Sequence, residues 1–135
     1  MDTNGNKTPD PLPLAAWQTL SSAEPAREIH QRIVALSPAL RQAALAWLKP
    51  EAELARELSA GGSGSRPAAV GQEPGPPPLH GVPYLLKDLF DLAGVPTRAG
   101  STFLDKVRPT PARDSRLVQH LSALGAVCAG KTHLV

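Results

Sequence analysis

An α/β fold is what this sequence predicts, and three observations predict it. Apolar residues recur at helical spacing before residue 60, a Gly-, Ser- and Pro-rich break follows, and beyond it two short apolar runs flank one helical pattern. Runs that are apolar throughout suit parallel strands buried on both faces, and a helix is the usual crossover between two such strands. The expected order is a helical region, then strand, loop, helix and strand.

Residues 1–13 are polar and carry Pro9, Pro11 and Pro13, so they lack both apolar periodicity and backbone donors. A disordered arm is expected there. Residues 14–60 read as helical, with Ser22 as an N-cap and Ile29, Ile33 and Leu36 three or four apart. Ser37 and Pro38 make an N-cap and N1 pair, after which Leu40, Ala44, Trp47 and Leu48 fall on one helical face. Pro50 opens another turn carrying Leu54 and Leu58, and Gly61 and Gly62 stop it. Residues 61–78 hold Pro67, Pro74, Pro76, Pro77 and Pro78 among glycines and serines, the composition of a linker.

Residues 79–135 form the α/β part. Val82 to Leu86 reads as a strand, and Asp114 to Leu124 as a helix with Asp114 as N-cap and Leu117, Val118, Leu121 and Leu124 on its apolar face. Gly125 suits the left-handed position that ends a helix, and Ala126 to Ala129 reads as the second strand.

Composition excludes several function classes. Fourteen Lys and Arg against twelve Asp and Glu give a net charge of +2, with no basic run and only 4% aromatic residues, so no nucleic-acid partner is expected. Cys128 is the single cysteine and cannot form an internal disulfide, which fits a reducing, cytoplasmic setting. The longest apolar run, Ala43 to Leu48, is far short of a membrane span of ~18 residues, and no leader pattern opens the chain.

Two lysine motifs stand out. Gly125 to Thr132, GAVCAGKT, matches the phosphate-loop pattern G-x-x-x-x-G-K-[ST]. That cradle needs a strand before it and a helix after it, whereas here a helix precedes and a strand fills the run, so the nucleotide-binding reading is set aside. Lys87-Asp88 ends the first strand. By itself, a lysine beside an aspartate at a strand end is an ordinary solvated surface pair.

The surroundings of Lys87 point further. Leu79-His80-Gly81-Val82-Pro83, Lys87-Asp88, Asp91 to Thr97, Ala99-Gly100-Ser101, Ala112-Arg113-Asp114 and Gly125-Ala126-Val127 with Gly130-Lys131-Thr132 together resemble the amidase signature family in order and spacing. The resemblance runs from Leu79 to Val135, and the preceding helices are similar to the family's variable N-terminal helices. It implies a large α/β/α domain of which this chain is the N-terminal part. One departure is His133, where the family usually has asparagine.

The family uses a nucleophilic serine, a second serine and a lysine, and the resemblance puts Lys87 at the lysine. A serine hydroxyl needs a base to take its proton, and an amide nitrogen needs an acid to leave. An amine does both only if it can be neutral, which near pH 7 costs about 4 kcal/mol and requires burial or nearby positive charge. Both serines and the oxyanion loop belong to a later Gly- and Ser-rich segment of the family, so this chain is expected to be inactive alone. Gly61 to Ser65 precedes the lysine and reads as spacer, while Ser101, Ser115 and His80 read as structural and Lys131 and Thr132 as supports of the site. No cofactor and no metal are expected. The substrate class implied is a small-molecule amide. Alternatives are the amide-hydrolysing role in a glutamyl- or aspartyl-tRNA amidotransferase, a non-catalytic binding remnant, and a nucleotide binder. A parallel strand pair standing alone would have two open edges and exposed apolar faces, so poor folding or dependence on a partner is also expected.

Overall fold

The computed structural model describes residues 10–20, 24–60 and 76–134. The expected arm lies outside the described residues up to residue 9, the expected linker up to residue 75, and the expected cap Ser22 altogether. Helices α1 (Leu14–Thr19), α2 (Glu24–Ala35) and α3 (Pro38–Ala44) come first. In α2 the periodic residue Ile33 is buried, and Ile29 packs on the cluster that holds Ala26. In α3 the sequence signal is realised directly: the Ser37 hydroxyl accepts from the Leu40 N–H at 3.2 Å, and Pro38 occupies the first turn.

The expected continuation of that helix through Trp47 and Leu48 is overturned. Leu45–Leu48 is a strand, β1, antiparallel to the last strand with Trp47 opposite Lys131 and Leu48 opposite Gly130. Two forces decide this. Pro50 pushes Lys49 away from helical geometry, and the free edge of a buried strand offers Leu45 to Leu48 partners that a helix end could not. The ladder is extended at both ends, by the Lys49 N–H to the Ala129 carbonyl at 2.9 Å and the His133 N–H to the Ala44 carbonyl at 3.0 Å.

Helix α4 (Glu51–Ser59) follows Pro50 and buries Leu54 and Leu58, as the spacing requires. With Ala26 of α2 these leucines cover Val127 and Ala129. Strand β2 (Pro83–Lys87) then leads through α5 (Leu104–Val107) and α6 (Arg116–Ala123) to β3 (Val127–Thr132), which runs parallel to β2. The strand order is β1-β3-β2, so the sheet is mixed and β3 is central. A second cluster, Leu86, Leu92, Val118 and Cys128, packs beside Trp47 and Tyr84.

Three details differ from the sequence reading. Asp114 is not the cap of α6. Ser115 holds that position without a side-chain bond, because the Asp114 carboxylate is taken by the Ala93 N–H at 2.7 Å. Leu117 is exposed while Val118, one step round the helix, is buried. The strands are also unequal: Val127 to Lys131 are all buried, but Leu85 of β2 is 47% exposed, and β1 covers one of the two edges expected to be open. None of the described helices is long and apolar enough to cross a membrane.

Two glycines fix the packing around β3. Gly125 has φ +88°, and a Cβ there would lie 3.0 Å from the His80 Cα. A Cβ on Gly130 would lie 2.7 Å from the Trp47 carbonyl oxygen, so β1 approaches this closely only because the side chain is absent. Gly130→Ala should therefore destabilise the chain by about 1–3 kcal/mol, read from urea melts, with β1 amides losing hydrogen-exchange protection first.

Candidate active site

Lys87 is the last residue of β2, opposite Thr132 of β3. The chain turns at once, the Lys87 carbonyl accepting from the N–H groups of Leu89 at 2.8 Å and Phe90 at 3.1 Å. Strand alternation sends Leu86 and Asp88 to one side and Leu85 and Lys87 to the other. Lys87 is half-buried, and its amine makes no hydrogen bond or ion pair among the described residues.

Asp88 is not the surface partner of Lys87 that the dipeptide alone suggested. It is 2% exposed, and its carboxylate lies 2.7 Å from the Nζ of Lys131, which is 0% exposed. The pairing depends on a bulge. Tyr84 faces Cys128 and Leu85 faces Gly130, so Ala129 is extra, and the shifted alternation brings Lys131 to the Asp88 side. Lys131 also donates to Thr97 Oγ1 at 3.1 Å and to the Pro96 carbonyl at 3.2 Å. Three oxygens thus surround the ammonium, as burial of its charge requires. The Gly125 to Thr132 run is accordingly a helix end and a strand, with its lysine turned inward.

The loop after Lys87 closes on the same pair. Asp88 donates its N–H to the Thr132 carbonyl at 2.9 Å, accepts the Ala99 N–H on its own carbonyl at 2.9 Å, and takes the Arg98 N–H on Oδ2 at 3.2 Å. Thr97 donates its hydroxyl to Asp91 Oδ1 at 2.8 Å, and Arg108 holds Asp91 Oδ2 at 2.8 Å. Burial tends to raise the Asp91 carboxyl, but the hydrogen bonds from Thr97 and Arg108 and the charges of Arg108 and Lys131 outweigh it and hold it below its ordinary value of 3.8.

The remaining candidates have other duties. The Ser101 hydroxyl accepts from the Phe103 and Leu104 N–H groups, both at 3.2 Å, at the start of α5. The Ser115 hydroxyl is buried without a partner among the described residues. Burial pushes the Cys128 thiol up, so it keeps its proton, and burial likewise raises the Tyr84 phenol. His80 and His133 are exposed. A cavity of about 850 Å³, bounded by Trp47, Glu53, Tyr84, Asp114, Val118 and Cys128, does not include Lys87 in its lining. Sequence reasoning missed both this cavity and the Lys131–Asp88 pair. A lysine inside an otherwise apolar strand was the available signal, since it must find a buried counter-charge.

Two outcomes follow. Lys131→Met should cost about 3–5 kcal/mol by stranding the Asp88 carboxylate, and Lys131→Met with Asp88→Asn should recover most of it, both measured by denaturant unfolding. For Asp91 the folded value is depressed, so its contribution is present above 3.8 and is lost as pH falls through the folded value. Asp91→Asn should flatten the acid limb of a stability-versus-pH curve.

Residues 26–135 match the family described as Amidase. The chain is 38% identical to the putative amidase AmiD of Mycobacterium bovis (strain ATCC BAA-935 / AF2122/97) over 118 residues, 87% of this chain and 23% of that protein. It is 32% identical to a glutamyl-tRNA(Gln) amidotransferase subunit of Carboxydothermus hydrogenoformans over 115 residues, 85% of this chain and 22% of that one. The S177A form of Kluyveromyces lactis allophanate hydrolase superposes with a TM-score of 0.61 at 25% identity, covering 91% of this chain and 19% of that structure. The chain spans less than a quarter of the length of the curated relatives it matches. With most of its length inside that match and a mixed α/β sheet to go with it, the chain belongs to the amidase family.

Proposed function

We propose that this segment contributes Lys87 to an amide-hydrolysing site as the amine that accepts a proton from serine and returns one to the leaving nitrogen. The observation that carries the reading is the setting of Lys87: a half-buried amine at a strand end, on a backbone held by β3 and the 88–99 loop, with no partner among the described residues. A proton acceptor must be fixed in place and yet not already engaged. The family resemblance supplies the role, because Lys87 stands at its lysine position.

The serines after Lys87 in these 135 residues are Ser101, Ser115 and Ser122, none adjacent to another. Ser101 is occupied as an acceptor at the start of α5, and Ser115 has no base beside it. The family resemblance implies that the nucleophile and the relay serine belong to a later Gly- and Ser-rich segment, so the 135 residues alone are expected not to turn over amides. The substrate class is a small-molecule amide, encountered in the cytoplasm. The similarity to an amidotransferase favours one alternative, an amidase half-reaction coupled to tRNA.

The test is amide turnover by this chain and by one extended through the rest of the family's domain. Activity is expected only in the longer chain, without tRNA or partner proteins, and Lys87→Ala should lower its kcat at least about a hundredfold. Turnover by the 135 residues, or full activity in Lys87→Ala, would overturn the proposal, and dependence on tRNA would establish the alternative.

A further inference from the structure

We propose that the outer edge of β2, centred on Leu85, receives an extended strand from the part of the amidase domain that lies outside these 135 residues, which makes β2 an interior strand. The inference rests on backbone geometry and does not depend on the role given to Lys87.

Alternate residues of a strand direct their N–H and carbonyl groups to opposite edges. In β2 the bonds to β3 decide which residues face which way. The Val127 N–H donates to the Val82 carbonyl at 3.0 Å, and the Asp88 N–H donates to the Thr132 carbonyl at 2.9 Å. Val82, Tyr84, Leu86 and Asp88 therefore face β3, and Pro83, Leu85 and Lys87 face outward. The bulge leaves this alternation intact, because the extra residue, Ala129, lies on β3. The Lys87 carbonyl is already used by the turn to Leu89 and Phe90. What remains is the Pro83 carbonyl, both backbone groups of Leu85 and the Lys87 N–H, and none of these has a partner among the described residues. A strand that fills the row must offer carbonyls to Leu85 and Lys87 and N–H groups to Pro83 and Leu85, so the residues that donate there cannot be proline.

The two sides of the sheet are finished differently. An edge that stays in water is usually blunted by charge, proline, shortness or a bulge. On the far side β1 is four residues long, antiparallel to β3 and followed closely by Pro50, and a short antiparallel strand is a common end to an otherwise parallel sheet. At the middle of the β2 edge stands Leu85, an apolar side chain 47% exposed, with Pro83 and Lys87 only at the two ends. Growth of the sheet is left to the β2 side. The family supplies the occupant: the matched stretch makes up 22% and 23% of two relatives that align with most of this chain, so most of such a domain lies outside it and must adjoin it.

The experiment compares amide hydrogen exchange in the 135-residue chain and in the chain extended through the rest of the domain, read by mass spectrometry on a peptide spanning residues 83–88. In the short chain the Tyr84, Leu86 and Asp88 amides should be protected and those of Leu85 and Lys87 fast. In the longer chain the Leu85 and Lys87 amides should slow at least about a hundredfold. Leu85→Pro, compared with Leu85→Ala to allow for the lost side chain, removes an outward N–H without touching the bonds to β3. The two variants should melt alike in the short chain, and the proline should lower the melting temperature of the longer chain by at least about 3 °C more.

Fast exchange at Leu85 and Lys87 in the longer chain would overturn the proposal. So would protection already present in the short chain together with a concentration-dependent dimer, since the edge would then serve a second copy. Should Leu85→Pro fail to fold in the short chain, the exchange of the two parent chains decides. None of these readings involves turnover, so the edge and the role of Lys87 stand or fall separately.

Discussion

A lysine side chain with no exposed surface sits near the end of the central strand of this sheet, and the architecture around it follows from the need to satisfy it. An unpaired charge at Lys131 would be prohibitive in an apolar interior. The bulge at Ala129 turns Lys131 toward Asp88, the loop through Pro96 and Thr97 folds over to supply the remaining acceptors, and Asp91 and Arg108 secure Thr97 from behind. One buried cation thereby orders a loop that carries almost no regular structure of its own.

β3 is where these demands meet. Its Val127 and Ala129 are covered by α2 and α4, and its Cys128 by Leu86, Leu92 and Val118, so one strand joins two apolar clusters. Gly130 lets β1 approach on one edge while β2 pairs on the other. The carboxyl ends of β2 and β3 then lie side by side, with Lys87 opposite Thr132, and such strand ends are where open α/β sheets carry their chemistry. The amine of Lys87 leaves this anchored platform on the side away from the ion pair. Rigid backbone and a free side chain are compatible because alternate residues of a strand serve different faces.

The same geometry separates neighbours that look equivalent in the chain. Lys87 and Asp88 are adjacent, yet one is half-buried and free of partners among the described residues while the other is sealed against Lys131, far along the chain. Relatives several times longer than this chain share the segment.

Much of this was legible from sequence because it rests on local chemistry. Ser37 with Pro38 starts a helix wherever it occurs, Leu54 and Leu58 make an apolar stripe at any address, and Gly125 alone tolerates the left-handed turn into β3. The motif block from Leu79 onward was likewise enough to place the family. Tertiary structure decided what depends on partners far along the chain: that Leu45 to Leu48 extends as a strand because β3 has an edge to fill, that Asp114 serves Ala93 instead of its own helix, and that Asp88 turns inward to Lys131. Periodicity and caps are properties of a few consecutive residues, whereas strand pairing and burial of a charge are settled only when distant segments compete for the same donors and acceptors.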